Sequence, residues 1–265
     1  MAKNQFLAVA VRAARAAATV MRRYQREGFE VGFKKNRADL VTVADRETER
    51  RIRSIIGRAF PQHGVLAEEG GAVSGDGRHR WLIDPIDGTI NYVAGFPYYC
   101  TSIALEIDGR VEVGVIFDPE RRELFTAQRG GGAFLNGRRL RVRTEKVIER
   151  AVLVTGYSYS EHSDQARDTM RVVGHVLTCV RAVRRVGAAA LDLANVAAGR
   201  FDGFWEAGLN PWDVAAGMLL VEEAGGRTSN GDGRRHRFGD PLLVATNRTL
   251  HRPLLRLLQT SNPEL

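Results

Sequence analysis

The residues of this chain best suited to chemistry are a few acids at the predicted ends of strands and starts of helices. Two of them lie in Asp84-Pro85-Ile86-Asp87-Gly88-Thr89, directly after the apolar strand predicted for residues 81–83. Pro85 has no N–H for a central ladder, so the pattern predicts that this strand ends before it. Glu68 and Glu69 follow a second predicted strand, residues 65–67, in the same way.

Two further acids lie in predicted first turns of helices. Asp45 closes the capping-box pattern that begins at Thr42, and Asp213 follows Asn210 and Pro211, which suit the N-cap and first helical positions. Each acid alone has an ordinary explanation as a cap, a turn or a complement to the helix dipole. Together they form a set of oxygen ligands without nearby His or Cys, which suits Mg²⁺ or Mn²⁺ rather than Zn²⁺ or copper.

The same segments offer a place for an anion. Gly88 and Thr89 can open a helix with free backbone N–H groups, which favour a phosphate oxygen. Hydrolysis of a phosphate monoester needs accelerations of up to ~10²¹, whereas a positioned general base supplies about 10²–10⁴. Two divalent ions roughly 3.5–4 Å apart would supply charge stabilisation and an activated water. The acids therefore favour metal-assisted phosphoryl chemistry over a simple acid–base pair.

The elements that position these acids change in character near residue 145. Before it, amphipathic helices predicted for residues 4–26 and from Thr42 to Pro61 precede short strands of an antiparallel or mixed sheet. After it, strands and helices alternate to the end of the chain, which favours an α/β layer arrangement. We predict an N-terminal α+β half, residues 1–145, with the metal-binding acids, and a C-terminal α/β half, residues 146–265, which completes the site, packed as one compact unit.

Composition excludes several classes of protein. The chain has 265 residues, 44% hydrophobic and 26% charged, which is ordinary globular composition and not that of a disordered chain. No apolar run reaches the ~20 residues of a membrane helix, and the apolar start is too short for a secretory signal. Cys100 and Cys179 are isolated, which favours a reduced, cytoplasmic location. A net charge of +8 permits nucleic acid, an anionic surface or phosphorylated metabolites as partners.

Two groups of basic residues are expected to be solvated surface. Arg12, Arg15, Arg22, Arg23 and Arg26 fall on one face of the first helix, and 234–237 is a basic loop. The six histidines show no metal-ligand spacing, and no role is assigned to them.

Several segments together resemble the inositol monophosphatases, in particular their bacterial branch. The resemblance covers nearly the whole chain, to about Thr246, and its most specific part is the DPIDGT segment with a distant Trp-Asp pair. The matching segments are residues 39–45 (DLVTVAD), Glu68-Glu69, residues 81–92 (WLIDPIDGTINY) and residues 211–213 (PWD) followed by 215–217 (AAG). The resemblance implies an α/β (α+β layered) fold of alternating helix and sheet layers, a lithium-sensitive phosphatase with two or three Mg²⁺ ions, Mn²⁺ being a possible substitute, and a homodimer.

The resemblance also implies roles for individual residues. Metal ligands would be Glu68, Asp84, the carbonyl of Ile86, Asp87 and Asp213, with Asp84 bridging two ions and Glu68 helping to hold a third through water. Thr89, with Asp45 as partner, would orient the attacking water, so that the catalytic set is Asp45, Thr89 and Glu68. The substrate would contact Asp87, Gly88, Thr89, Gly187, Ala188, Ala189, Glu206 and Asp213. Ala188 stands where some members of the family carry Thr, and Lys34 or Lys35 would be the family lysine.

The substrate remains open at this level. We expect a phosphomonoesterase that hydrolyses inositol monophosphate or a similar polyol or sugar phosphate by in-line attack of water. Fructose-1,6-bisphosphatases and some histidinol-phosphatases resemble the same segments. A protein of another class, associated with RNA or transcription, with a secondary phosphatase site, is the alternative suggested by the positive charge. The expected partner is a small phosphomonoester, and no membrane is expected.

Overall fold

The computed structural model describes residues 2–33, 40–157 and 164–261. Its helices are α1 (Ala2–Glu27), α2 (Val43–Ala59), α3 (Thr89–Val93), α4 (Asp164–Cys179), α5 (Ala189–Ala197), α6 (Pro211–Glu223) and α7 (His251–Ser261). Among the described residues, no helix is long and apolar enough to span a bilayer.

The strands form three sheets. A small hairpin pairs β1 (Val31–Phe33) with β2 (Leu40–Thr42). The large sheet, in the order β10-β9-β8-β7-β6-β5-β3-β4, contains β3 (Gly64–Ala67), β4 (Gly71–Val73), β5 (His79–Asp87), β6 (Cys100–Ile107), β7 (Arg110–Asp118), β8 (Glu123–Gln128), β9 (Gly132–Leu135) and β10 (Arg138–Arg139). The small sheet, in the order β12-β11-β13-β15-β14, contains β11 (Val152–Thr155), β12 (Ala182–Arg184), β13 (Gly203–Ala207), β14 (Arg227–Ser229) and β15 (Leu242–Thr246).

Alternating apolar side chains place helices on both faces of each sheet. Trp81 and Ile83 of β5 pack in one core with α1 and α2, whereas Leu82 between them packs in a second core with α5 and α6. Phe204 of the small sheet joins that second core, and Trp205 joins a third with α4 and α7. The predicted alternation of helix and sheet layers is therefore confirmed. The division of the chain at residue 145 stays a prediction.

The predicted end of the strand before Pro85 is wrong. Strand β5 continues to Asp87, and its register against β6 shifts between Asp84, which pairs with Ser102, and Asp87, which pairs with Cys100. Pro85 lies inside this irregularity, where its missing N–H breaks no regular ladder bond, and its carbonyl accepts a hydrogen bond from Thr101 Oγ1 at 2.8 Å. The irregularity gives the strand a bend at the two aspartates.

Helix α6 packs unusually close to its neighbours. A Cβ placed on Gly217 would lie 2.5 Å from Cβ of Leu193 on α5, and one placed on Gly114 of β7 would lie 3.0 Å from Cα of Ala216. These two glycines therefore allow α6 to lie against both α5 and the large sheet.

We expect Gly217→Ala to lower the free energy of unfolding by about 1–3 kcal/mol, because the added methyl group overpacks the contact with Leu193. The matched control is Gly57→Ala on α2, where a Cβ meets nothing within 4 Å. This control should raise the stability by about 0.5–1 kcal/mol, since alanine restricts the unfolded chain more than glycine. Denaturant unfolding of both variants measures the difference, and equal stabilities would contradict the role given to Gly217.

Candidate active site

Four of the predicted metal ligands meet where β3 and β5 end and α6 begins. Asp84 and Asp87 are buried, with 3% and 9% of their surface exposed, and Glu68 and Asp213 are half-buried. Glu68, Asp87 and Asp213 all act electrostatically on Asp84, and the carboxyl groups of Asp84 and Glu68 are within hydrogen-bonding reach. The structure thus brings together acids that are up to 145 residues apart in sequence.

Asp84 experiences the strongest like-charge environment of the four. Burial, and then the charges of Glu68, Asp87 and Asp213, raise the pKa of Asp84 well above its usual range. Its Oδ1 atom is buried and has no hydrogen-bond partner among the described residues. A buried carboxylate oxygen without a donor, next to three other acids, fits a bound cation.

Asp87 is held by the first turn of α5. Its Oδ2 atom accepts a hydrogen bond from the Ala190 backbone N–H at 2.8 Å, and the Leu191 N–H and the Cys100 thiol also donate to this side chain. Burial raises the pKa of Asp87 to about 6, although these backbone donors favour its charged form. The N-terminal end of the α5 dipole therefore stabilises the charged form of Asp87, which lies on a strand more than 100 residues away in sequence.

Asp213 caps its own helix. The backbone N–H of Asn210 donates to Asp213 Oδ2 at 2.7 Å, and Asp213 N–H returns to the Asn210 carbonyl at 3.2 Å. Burial raises the pKa of Asp213 to about 8, and the nearby charges of Glu68 and Asp87 add to the effect. Ser102 Oγ donates to the Trp212 carbonyl at 3.2 Å, which ties the start of α6 to β6.

Asp45 and Thr89 form the second polar pair of the site. Asp45 is fully buried, and its Oδ2 accepts hydrogen bonds from Thr42 N–H at 2.7 Å and from Thr42 Oγ1 at 2.6 Å. Asp45 N–H donates to Thr42 Oγ1 at 3.3 Å, and together with the bond from Thr42 N–H this completes the predicted capping box. Its Oδ1 lies 3.4 Å from Thr89 Oγ1, which also donates toward the Ile86 carbonyl at 3.0 Å. Thr89 is thereby positioned between a carboxylate and the main chain of β5.

Gly88 is the N-cap of the short helix α3 and has a φ of +87°, a left-handed conformation that favours glycine. A Cβ there would lie 3.0 Å from the Tyr98 carbonyl and 3.1 Å from Cβ of Ala188. Residues 187–189 therefore adjoin the DPIDGT segment. Asn91 Nδ2 fixes this approach by donating to the carbonyls of Tyr98 at 2.8 Å and Val186 at 2.9 Å.

Glu206 faces the site from the small sheet. It lies within β13 and pairs with Leu243 of β15. Burial raises the pKa of Glu206, and the charges of Asp192, Asp213 and Asp87 contribute, while Arg185 lowers it. A Cβ on Gly156 of the neighbouring chain segment would overlap the Glu206 carboxylate oxygens, so a larger residue there would force this carboxylate to move.

Two buried acids support the site and were not expected from the sequence. Glu49 of α2 accepts hydrogen bonds from the backbone N–H groups of Glu69 at 2.8 Å and Gly70 at 2.9 Å, which fixes the turn that follows β3. Asp192 of α5 accepts a hydrogen bond from the Tyr98 hydroxyl at 2.6 Å. The available signal was an acid on an otherwise apolar helix face at each position. Lys34 and Lys35 lie outside the described residues.

One group of possible metal ligands lies away from these acids, at the start of β5. The rings of His63 and His79 stack at 4.2 Å, and His79 Nδ1 lies 2.7 Å from Asp76 Oδ2. However, Trp81 Nε1 donates to His63 Nδ1 at 3.1 Å, so the other nitrogen of a neutral His63 ring carries the proton. This cluster is explained by stacking and hydrogen bonds.

Comparison with known proteins agrees with this arrangement. Residues 2–262 match the model of the inositol monophosphatase family. The chain is 44% identical over 230 residues to the inositol-1-monophosphatase of Rhizobium meliloti (strain 1021), covering 86% of each chain. It is 42% identical over 262 residues to the Nus factor SuhB of Pseudomonas aeruginosa, covering 97% of each. The solved inositol monophosphatase from Anabaena superposes with a TM-score of 0.89 at 39% identity, covering 100% of this chain and 99% of that one.

A more distant structure bears on the metal. An IMPase/NADP phosphatase complexed with NADP and Ca²⁺ is 27% identical, with a TM-score of 0.81 and coverage of 92% of this chain and 91% of that chain. Together with the family match, this supports dependence on a divalent metal. The chain is a phosphomonoesterase and belongs to the inositol monophosphatase family.

Proposed function

We propose that the acid site hydrolyses inositol monophosphate, or a similar polyol or sugar phosphate, with Mg²⁺ as the divalent ion. The observation that carries this proposal is the meeting of Glu68, Asp84, Asp87 and Asp213 around a buried Asp84 oxygen that has no hydrogen-bond donor among the residues that the structure describes. A phosphate monoester would be repelled by these charges without a cation, so metal and substrate belong to the same site.

The chain's own oxygens would hold the metal. Glu68, Asp84 and the Ile86 carbonyl would hold one ion. Asp87 and Asp213 would hold a second ion, and Asp84 would be a ligand of both. Glu68 would help to hold a third ion through water. Mg²⁺, for which Mn²⁺ could substitute, supplies positive charge to the phosphoryl oxygens and lowers the pKa of a bound water. Glu68 thus belongs both to the metal ligands and to the catalytic set.

Thr89 and Asp45 would orient the attacking water. Thr89 Oγ1 can accept a hydrogen bond from water while its own proton points to Asp45 Oδ1 or to the Ile86 carbonyl. Asp45 is fixed by Thr42, so this direction is set before substrate binds. The N–H groups of Gly88 and Thr89 would contact the phosphate.

The polyol side of the substrate would lie against Glu206 and residues 187–189. Glu206 is a carboxylate that can accept hydrogen bonds from ring hydroxyls, and residues 187–189 adjoin Gly88. Asp87 and Asp213 border the same space. Fructose-1,6-bisphosphate and histidinol phosphate remain alternative substrates for the same chemistry.

A cytoplasmic homodimer that is inhibited by lithium is part of the same proposal. A staphylococcal inositol monophosphatase of the same fold, 27% identical, was solved as a LiCl-soaked inhibitory complex, which supports the lithium effect. The two free cysteines, Cys100 and Cys179, agree with a reducing compartment.

A second candidate function is association with RNA or the transcription machinery. It is favoured by the relatives called Nus factor SuhB, including the one from Pseudomonas aeruginosa. The arginine face of α1 gives it limited support. Arg22 donates to the Pro119 carbonyl at 2.7 Å and Arg23 lies 3.2 Å from Glu47, so part of this face is used within the chain.

We expect Mg²⁺-dependent phosphate release from inositol monophosphate that falls by about 10²–10³-fold in Asp213→Asn and in Asp87→Asn, because each loses charge at the metal. Glu222→Gln at the other end of α6 is the matched control and should keep near-parental activity. A phosphate-release assay, with circular dichroism to check folding, measures this. Full activity in EDTA would refute the metal-dependent proposal.

The substrate class is tested in the same assay with Glu206→Gln. This variant should raise KM for inositol monophosphate roughly tenfold by weakening charged hydrogen bonds to ring hydroxyls. KM for phenyl phosphate, which has no such hydroxyls, should stay unchanged. Equal changes for both substrates would remove Glu206 from polyol recognition, and faster turnover of fructose-1,6-bisphosphate or histidinol phosphate would reassign the substrate.

We expect Mg²⁺ to raise the Tm of the protein, because ions bound by the folded state relieve the repulsion among the four acids; the gain is about 2.7 kcal/mol at a hundred times the Kd. Asp84→Asn should raise the Tm in EDTA and reduce the Mg²⁺-dependent increase. The exposed Asp108→Asn serves as control for the loss of one charge. An unchanged Mg²⁺ effect in Asp84→Asn would argue against Asp84 as a ligand.

The transcription candidate predicts salt-dependent binding of single-stranded RNA that weakens when Arg12, Arg15 and Arg23 are all replaced by Glu. Fluorescence anisotropy measures the binding. The control replaces Arg51, Arg58 and Arg252, which are exposed on other helices. No binding at low salt would exclude direct RNA contact.

A further inference from the structure

A second cavity, of about 1030 Å³, lies away from the acid site. It is lined by the start of β5 and β7, the C-terminal half of α6 and the loop of residues 230–240. None of the catalytic or metal-binding acids lines it. Its volume is at the upper end of the roughly 300–1,000 Å³ found for small-molecule sites, so it is too large for a lone phosphate ion.

The charge of this cavity is positive. Six arginines line it, against the three carboxylates of Glu106, Glu222 and Asp240. Two of these carboxylates are already paired, Glu106 with Arg80 at 2.6 Å and Glu222 with Arg129 at 2.9 Å. Arg110 lies 3.9 Å from Glu112, and Arg234 lies 3.8 Å from Asp232. The positive charge left over therefore belongs mainly to Arg235 and Arg237 of the loop, and it favours a ligand with more than one negative group.

The loop presents its arginines from a hydrogen-bonded turn. Asn230 Oδ1 accepts hydrogen bonds from the N–H groups of Asp232 at 3.1 Å and Arg234 at 3.0 Å. Arg237 N–H donates to Asp240 Oδ2 at 2.8 Å. Within the described ranges of the chain, neither Arg235 nor Arg237 has a carboxylate within 4 Å of its guanidinium group. Both arginines are thus exposed, and no acid among the described residues pairs with their guanidinium groups.

The wall between these arginines contains a polar atom without a partner. The His236 side chain is only 5% exposed, and among the described residues its buried Nδ1 has no hydrogen-bond partner. Asp240 Oδ2, the nearest acid oxygen, is 3.9 Å away. A ligand hydroxyl or N–H group could satisfy this nitrogen, and the half-buried Phe238 and Met218 add apolar surface.

We propose that this cavity binds an organic polyphosphate of nucleotide size. The guanidinium groups of Arg235 and Arg237 would bind its phosphates, for which arginine geometry is suited. Its organic part would lie against Phe238 and Met218 near His236. A compact ligand fits a half-open cavity bordered by two strands, a helix and a loop, whereas a long nucleic-acid strand needs a groove that follows its backbone.

The test is titration calorimetry of the full chain in EDTA, so that the acid site holds no divalent ion and repels phosphate. The probes are ATP, inorganic tripolyphosphate, adenosine and a short single-stranded RNA. ATP should bind to a single class of sites, more tightly than tripolyphosphate or adenosine. The double variant R235E/R237E should weaken ATP binding by roughly tenfold or more. The matched control R51E/R58E changes exposed arginines of α2 outside the cavity and should stay within about twofold.

Several results would overturn the proposal. They are equal ATP affinity in R235E/R237E and the parent, ATP binding lost equally in R51E/R58E, or tripolyphosphate binding as tightly as ATP. RNA that binds more tightly than ATP and depends on Arg235 and Arg237 would assign the cavity to nucleic acid instead. Circular dichroism checks folding, and R235Q/R237Q, which removes charge without reversing it, should weaken ATP binding in the same direction.

Discussion

The repulsion among carboxylates buried in one place is the constraint on which the rest of this structure depends. Asp84 lies among Glu68, Asp87 and Asp213, and burial makes each of these charges more costly. The fold holds them by main-chain donors: the first turn of α5 donates to Asp87, and Asn210 donates to Asp213. These hydrogen bonds fix the acids without a cation, so the cation that we propose for this site would bind with little reorganisation.

Several acids have a structural task that suits the chemical task proposed for them. Asp45 uses one carboxylate oxygen to cap α2 and directs the other toward Thr89, and Asp213 caps α6 while it faces Asp84. A capping residue has a fixed rotamer and a fixed height on its helix, which is what a ligand or a water-orienting group requires. Helix capping and the proposed function of these acids are therefore compatible, because capping fixes the side-chain position that the proposed chemistry requires.

Local signals in the sequence were sufficient to predict the acids, the capping box at Thr42, the N-cap at Asn210, the turn at Gly88 and the alternation of layers. What they missed depends on distant parts of the chain. The continuation of β5 through Pro85 depends on its pairing with β6. The supporting roles of Glu49 and Asp192 arise from partners that are close only in the folded chain. The spacing of apolar residues indicates which face of a helix or strand is apolar, but it does not indicate which other element packs against that face.

The close approach of α6 to the large sheet has a consequence for how the site is encoded. Gly114 of β7 lies against the backbone of Ala216, where any side chain would push the helix outward. Asp213 is on that helix, whereas Asp84 is on the sheet. The distance between these two acids therefore depends on the absence of a side chain at Gly114. The lack of a side chain at Gly114 thus determines how far apart two acids of the polar site lie. Residues that do not contact the proposed metal therefore help to specify its site.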